Sequence, residues 1–132
     1  MGGDGWGNNQ LEYDTDRAEN ASLDGAGRLA ITARKEDYQG NQYTSARINT
    51  RALFSQARGK FEARILLPIG QGIWPAFWLL GSNFESVGWP QCGEIDIMEY
   101  RGQEPSVVHG SLHGPGYSGG AARTSRYTLP GG

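Results

Sequence analysis

At 132 residues, with 37% hydrophobic and 20% charged positions, the chain has the composition of one small soluble globular domain with a modest core. A formal net charge of -2, with both signs scattered, provides no basic stripe for nucleic acid and no polybasic segment for a membrane surface, so neither is an expected partner. Cys92 is the only cysteine, which excludes an internal disulfide and an all-cysteine zinc site.

The start, MGGDGWGNNQ, shows no charged region followed by an apolar run, and no secretion signal is legible in it. Glycine (21) and proline (6) then punctuate short alternating segments, and no helical stripe of useful length interrupts them. The fold class indicated is all-β. SLDGAG (22–27) reads as a turn before a first strand, RLAITAR (28–34). Further strands are expected at QYTSARIN (42–49), GKFEARILLP (59–68), PAFWLL (75–80), GEIDIMEY (93–100) and SVVHGSLH (106–113). Short strands joined by turns suggest a sandwich of two antiparallel sheets, with residues 1–132 forming a single domain.

Parity within the strands indicates which faces matter. In 59–68, Phe61, Ala63, Ile65 and Leu67 alternate as a core face, leaving Glu62 and Arg64 on the other. In 93–100, Ile95 and Ile97 share one face while Glu94 and Asp96 share the opposite one. Simple alternation would point Glu99 into the interior with the isoleucines, where an unpaired carboxylate is expensive. Either Glu99 is neutralised there, or an extra residue near Ile97 and Met98, a β-bulge, resets the alternation and turns all three acids toward one cleft.

Clustered carboxylates suit glycoside cleavage. Retaining glycosidases use two, about 5–5.5 Å apart, one as nucleophile and one as acid and then base. A third, Asp96, between them, would hydrogen-bond the nucleophile and help keep one proton on the cluster. Calcium would want further oxygen ligands at short spacing, and Ile95, Ile97 and Met98 supply none. On spacing alone, catalysis and a solvated acidic face both stand. Trp74, Trp78 and Trp89, close in sequence to the acids, favour sugar, because flat aromatic faces stack on the C–H faces of sugar rings; packing in the core is the competing reading for Trp78. Arg64 could donate to sugar hydroxyls through its planar fork or pair with Glu62. NAS at 20–22 fits a glycosylation sequon.

GEIDIMEY matches the E-x-D-x-x-E signature of the family-16 glycoside hydrolases in its bulged form. GWGNNQLEYDTDRAEN, YTSARI, GKFEARILLPIGQGIWPAFWLLG and HGSLHGPGYSGG resemble the endo-β-1,3-glucanases (laminarinases) of that family, and the resemblance covers nearly all of the chain. It implies a concanavalin-like β-jelly-roll with an open cleft for a long polysaccharide. It implies Glu94 as nucleophile, Asp96 as its assistant and Glu99 as acid/base, and it places Trp74, Trp78 and Trp89 at glycone-side subsites. By the same resemblance Asn8 sits at the cleft rim and His113 near the acid/base, both as substrate-binding residues, with turn chemistry beside Gly the competing reading for Asn8; His109 shares the parity of His113 and reads as structural.

A complete domain of this type is longer, with an opening strand before GWGN and several strands after YTLP. The chain is therefore expected to be a portion of the jelly-roll, to self-associate through unpaired sheet edges and to be weakly active alone. The structural calcium common in the family draws on those missing regions, so no metal or other cofactor is expected. The enzyme would be secreted. A non-catalytic β-glucan-binding module and a galactan hydrolase acting on agar or carrageenan are the alternatives, and mixed-linkage β-1,3-1,4-glucan is a further substrate to weigh.

Overall fold

The computed structural model describes residues 1–130, as strands with one short helix and two 3-10 turns. The chain is all-β, as its sequence indicates, and it separates into two units, Met1–Thr50 and Arg51–Gly132.

In the first unit the strands are β1 (Glu12–Asp14), β2 (Ala21–Leu23), β3 (Leu29–Ile31), β4 (Arg34–Tyr38) and β5 (Asn41–Ser45). Gln39 and Gly40 join β4 to β5 with φ of 50° and 86°. Positive φ at both central residues is what a tight hairpin turn of matching twist requires, and glycine supplies it without strain. β5 also pairs with β1 in parallel, giving the order β1-β5-β4, while β2 and β3 form a separate antiparallel hairpin. The segment expected as one strand at 28–34 thus divides between two sheets, and the strand expected at 42–49 ends at Ser45. The turn expected at 22–27 falls slightly later: the Asp24 carboxylate accepts from the N–H of Ala26 (2.8 Å) and of Arg28 (3.1 Å) and closes the β2–β3 hairpin.

The buried centre of this unit is polar. Asn20 is fully buried; its Nδ2 donates to the Thr32 carbonyl (3.0 Å) and the Thr44 hydroxyl (2.9 Å), and its Oδ1 accepts from Arg17 (3.0 Å) and Thr15. Buried polar groups persist only when bonded in this way. The same bonds put the sequon asparagine out of reach of a glycan in this fold.

In the second unit β6 (Ala76–Leu80), β7 (Glu94–Tyr100), β8 (Val107–His113) and β9 (Arg123–Thr128) form one antiparallel sheet in sequence order. A four-residue helix, α1 (Phe84–Val87), lies between β6 and β7. Residues 59–68 do not form the expected strand. Alternation says which side of a strand would be apolar, but a strand needs a hydrogen-bonded neighbour, and these residues pair with none of the described strands. Of their expected core face, Ile65 is exposed and Phe61 only half-buried.

Tyr100 is the buried large apolar side chain of the sheet. Ile95, expected in the core, is 48% exposed, and its cross-strand neighbour Leu112 is 44% exposed. The apolar face is real as a pattern, yet these two side chains stay about half exposed.

Candidate active site

Of the two ways to resolve the parity of β7, the structure takes the bulge. Asp96 pairs with Ser111 and Glu99 with His109, so Ile97 and Met98 together oppose Gly110 alone. On the other side Trp78 pairs with Asp96 and Phe77 with Met98, which leaves Ile97 as the extra residue. Because directly opposed residues share a face, three rungs cross the sheet: Leu80–Glu94–His113, Trp78–Asp96–Ser111–Thr124 and Ala76–Glu99–His109–Arg126. All three acids therefore stand on one face.

Trp74 reaches the same face from outside β6. Gly102 lets the preceding turn come close, since a Cβ there would lie 1.5 Å from the Gly70 carbonyl oxygen. The Gly102 N–H donates to Ile73 (2.9 Å) and that of Tyr100 to Pro75 (3.1 Å). Trp74 Nε1–H then donates to Glu99 Oε1 at 3.1 Å. The other oxygen of Glu99 accepts from Ser111 Oγ at 3.4 Å, and Ser111 also bonds Thr124 Oγ1 at 3.0 Å. Glu99 is held at both oxygens.

Asp96 is 5% exposed and hydrogen-bonded to Glu94. Burial, then the charges of Glu94 and Glu99, then that hydrogen bond push its pKa up to about 7. Each cause disfavours a further negative charge between two carboxylates. His113 Nε2 lies 3.0 Å from Asp96 Oδ2, and the Trp89 ring sits against the imidazole, centroids 5.8 Å apart. Beyond Glu99, Glu104 accepts from Arg101 (2.6 Å) and Arg126 (3.0 Å) and contacts His109 Nε2 at 3.0 Å, which holds its carboxyl below the usual range; the His109 bond is the largest cause.

Glu94, Asp96 and His113 bring ligand-type atoms within 4.8 Å of one another, but the set does not fit a metal. A ligating histidine donates its second ring N–H outward. Here the Gly119 N–H donates to His113 Nδ1 at 3.1 Å, so that nitrogen is an acceptor and the ring proton is on Nε2, facing the carboxylate. Calcium would want oxygens where the imidazole stands.

The sheet thus gathers six of the nine residues expected at the site: Glu94, Asp96, Glu99, Trp74, Trp78 and His113. Trp89 joins them through His113. Arg64 lies in the exposed, strandless stretch, and Glu62 pairs with Lys60 rather than with it, so neither expected role of Arg64 has a described contact. Asn8 caps the 3-10 turn Gly5–Gly7, its N–H on the Gly5 carbonyl at 2.8 Å, in the first unit and outside this sheet. Ser111, Thr124 and Glu104 were not singled out from sequence. Ser111 had a signal, since it alternates between His109 and His113 and must share their face.

The bulge thus sets a row of carboxylates on one face, with Trp74 and Trp78 beside it. Residues 6–131 match the model of Glycosyl hydrolases family 16. The chain belongs to that family. It is 50% identical over 121 residues to the β-glucanase of Rhodothermus marinus, spanning 89% of this chain and 42% of that protein. Among solved structures, the laminarinase from Rhodothermus marinus superposes with a TM-score of 0.92 at 47% identity, covering 98% of this chain and 53% of that one. The catalytic domain of an endo-1,3-β-glucanase from Thermotoga petrophila does so with 0.89 at 53% identity, covering 97% and 51%. The chain spans about half the length of the relatives it matches.

Proposed function

We propose that the chain is the acid-bearing portion of a single family-16 catalytic domain, an endo-acting, retaining hydrolase of β-1,3-glucan. The observation that carries this reading is the bulge at Ile97 and Met98, which brings Glu94, Asp96 and Glu99 to one face. Glu94 attacks the anomeric carbon while Glu99, as the acid, gives its proton to the leaving oxygen. The glycosidic C–O bond breaks and a glycosyl ester forms on Glu94. Glu99, now a carboxylate, takes a proton from water, whose oxygen attacks the same carbon and frees Glu94. Asp96, its pKa raised to about 7, donates to Glu94 in its protonated form and keeps it oriented without adding a third charge.

Trp74 and Trp89, both 43% exposed, have ring surface left for sugar, and Trp78 lies on the same face. The continuous family match across both units supports one domain. The open Ile95–Leu112 face and the exposed β9 support further β-structure against them, as in a jelly-roll sandwich or by self-association. Of the described residues, no helix is long and apolar enough to cross a membrane, and a polymer too large to enter a cell calls for a secreted enzyme. The three retained acids favour hydrolysis over a binding-only module.

The test is release of reducing ends from laminarin, run beside Glu94→Gln. Glu94→Gln should lower turnover by ~10³-fold or more, and proton NMR of fresh product should show the β-anomer first. An active Glu94→Gln variant or an initial α-anomer would overturn the assignment.

A further inference from the structure

The turn after β8 fixes more than the position of His113. Gly114 and Tyr117 exchange backbone hydrogen bonds of 3.1 and 3.0 Å, and the Arg123 guanidinium lies over the Tyr117 ring at 4.8 Å. This clasp presents the Gly119 N–H to His113 Nδ1 at 3.1 Å, while Trp89 lies against the ring. A backbone N–H is always a donor, so Nδ1 contributes its lone pair and the ring proton belongs on Nε2, 3.0 Å from Asp96 Oδ2. The opposite tautomer would set two donors against each other at Gly119, and its bare Nε2 would draw the Asp96 proton away from Glu94.

We infer that His113 is a positioning residue: its ring, locked as the Nε2–H tautomer by the Gly119 N–H, occupies one oxygen of Asp96 and so assigns that residue's proton to the other oxygen, aimed at Glu94. The bonds then run in one direction, Gly119 N–H to His113, His113 N–H to Asp96, Asp96 O–H to Glu94. Such a chain is cooperative, because each donor polarises the next. It extends the proposed mechanism, on which its catalytic meaning rests, by replacing the expected sugar contact of His113 with an orienting role. The titratable groups facing Asp96 are Glu94 and Glu99 on its own strand and His113 on β8; β6 opposes it with Trp78.

The experiment uses nitrogen NMR on chain labelled at its two histidines. Expected is a bare Nδ1 and a protonated Nε2 on His113 at neutral pH. A protonated Nδ1, as the other tautomer or as imidazolium, overturns the lock. The second arm follows the Asp96 carboxyl carbon through its titration in His113→Leu and His113→Gln. Leucine removes the donor, so the carboxylate loses a stabilising bond and the midpoint should rise by about one pH unit. Glutamine, whose amide N–H reaches the Nε2 position, should restore it. Equal midpoints in the two variants would overturn the role. Neither arm needs turnover, so an inactive wild type would sink the hydrolase reading while leaving the lock decided by the spectra. If turnover is present, His113→Leu should lose ~10–100-fold in kcat with KM unchanged. A loss confined to KM would instead mark a sugar contact.

Discussion

The two units each bury a polar cluster, and the clusters treat charge in opposite ways. In the first, Arg17 donates to Asn20 and to Glu36, and the Thr44 hydroxyl donates to Glu36 as well. The Thr44 bond first, then the Arg17 bond, holds the Glu36 carboxyl below its usual range. In the second, Asp96 sits between Glu94 and Glu99 with the His113 imidazole as its partner, and the pKa of its carboxyl is driven upward. A cluster that neutralises itself ties a fold together. A cluster that keeps its acids crowded holds a proton near neutrality for chemistry.

Breaking the first cluster should show in stability. Asn20→Ala removes the donor to the Thr32 carbonyl and the acceptor of the Thr15 hydroxyl and should cost about 1–3 kcal/mol, read as a fall in urea midpoint. The Asp96 titration should stay where it was; a shift there would mean the two clusters are not independent. A smaller effect is expected within the second. Trp74→Phe keeps an aromatic face for sugar but deletes the N–H bonded to Glu99. It should lower kcat by about 10-fold, the worth of one hydrogen bond near 1.4 kcal/mol, with KM nearly unchanged. If KM rises while kcat holds, Trp74 serves as a stacking platform alone.

The acid row was legible because β7 contradicts itself: alternation puts Glu99 with Ile95 and Ile97, and a neutralised Glu99 or an extra residue is needed to resolve the conflict. The bulge lies where that conflict required it. The tryptophans were legible as ring surface, but the Trp74 bond to Glu99 depends on how the turn at 70–75 packs on Gly102, which no spacing encodes. The segment 59–68 and the Ile95 face mark the opposite limit. Their alternation is sound, yet a pattern of apolar residues says that a face expects cover without saying which strand supplies it. The Asn20 cluster was invisible because its bonds join residues from Thr15 to Thr44, and it read instead as a sequon.

Asp96 holds its proton well beyond the range of an ordinary carboxyl. Its folded pKa of about 7 stands above its unfolded value of 3.8. Between those values the unfolded chain ionises the residue while the folded chain does not, so rising pH from about 4 to about 7 draws the equilibrium toward unfolding. Above the folded pKa the cost is complete. Asp96→Asn, which cannot ionise, should therefore be more stable than wild type at pH 8, with no such advantage at pH 3. The direct measurement is the carbon NMR titration of the Asp96 carboxyl in the folded wild-type chain. The account predicts a midpoint near 7, and a midpoint near the ordinary 3.9 of a free aspartate would contradict it.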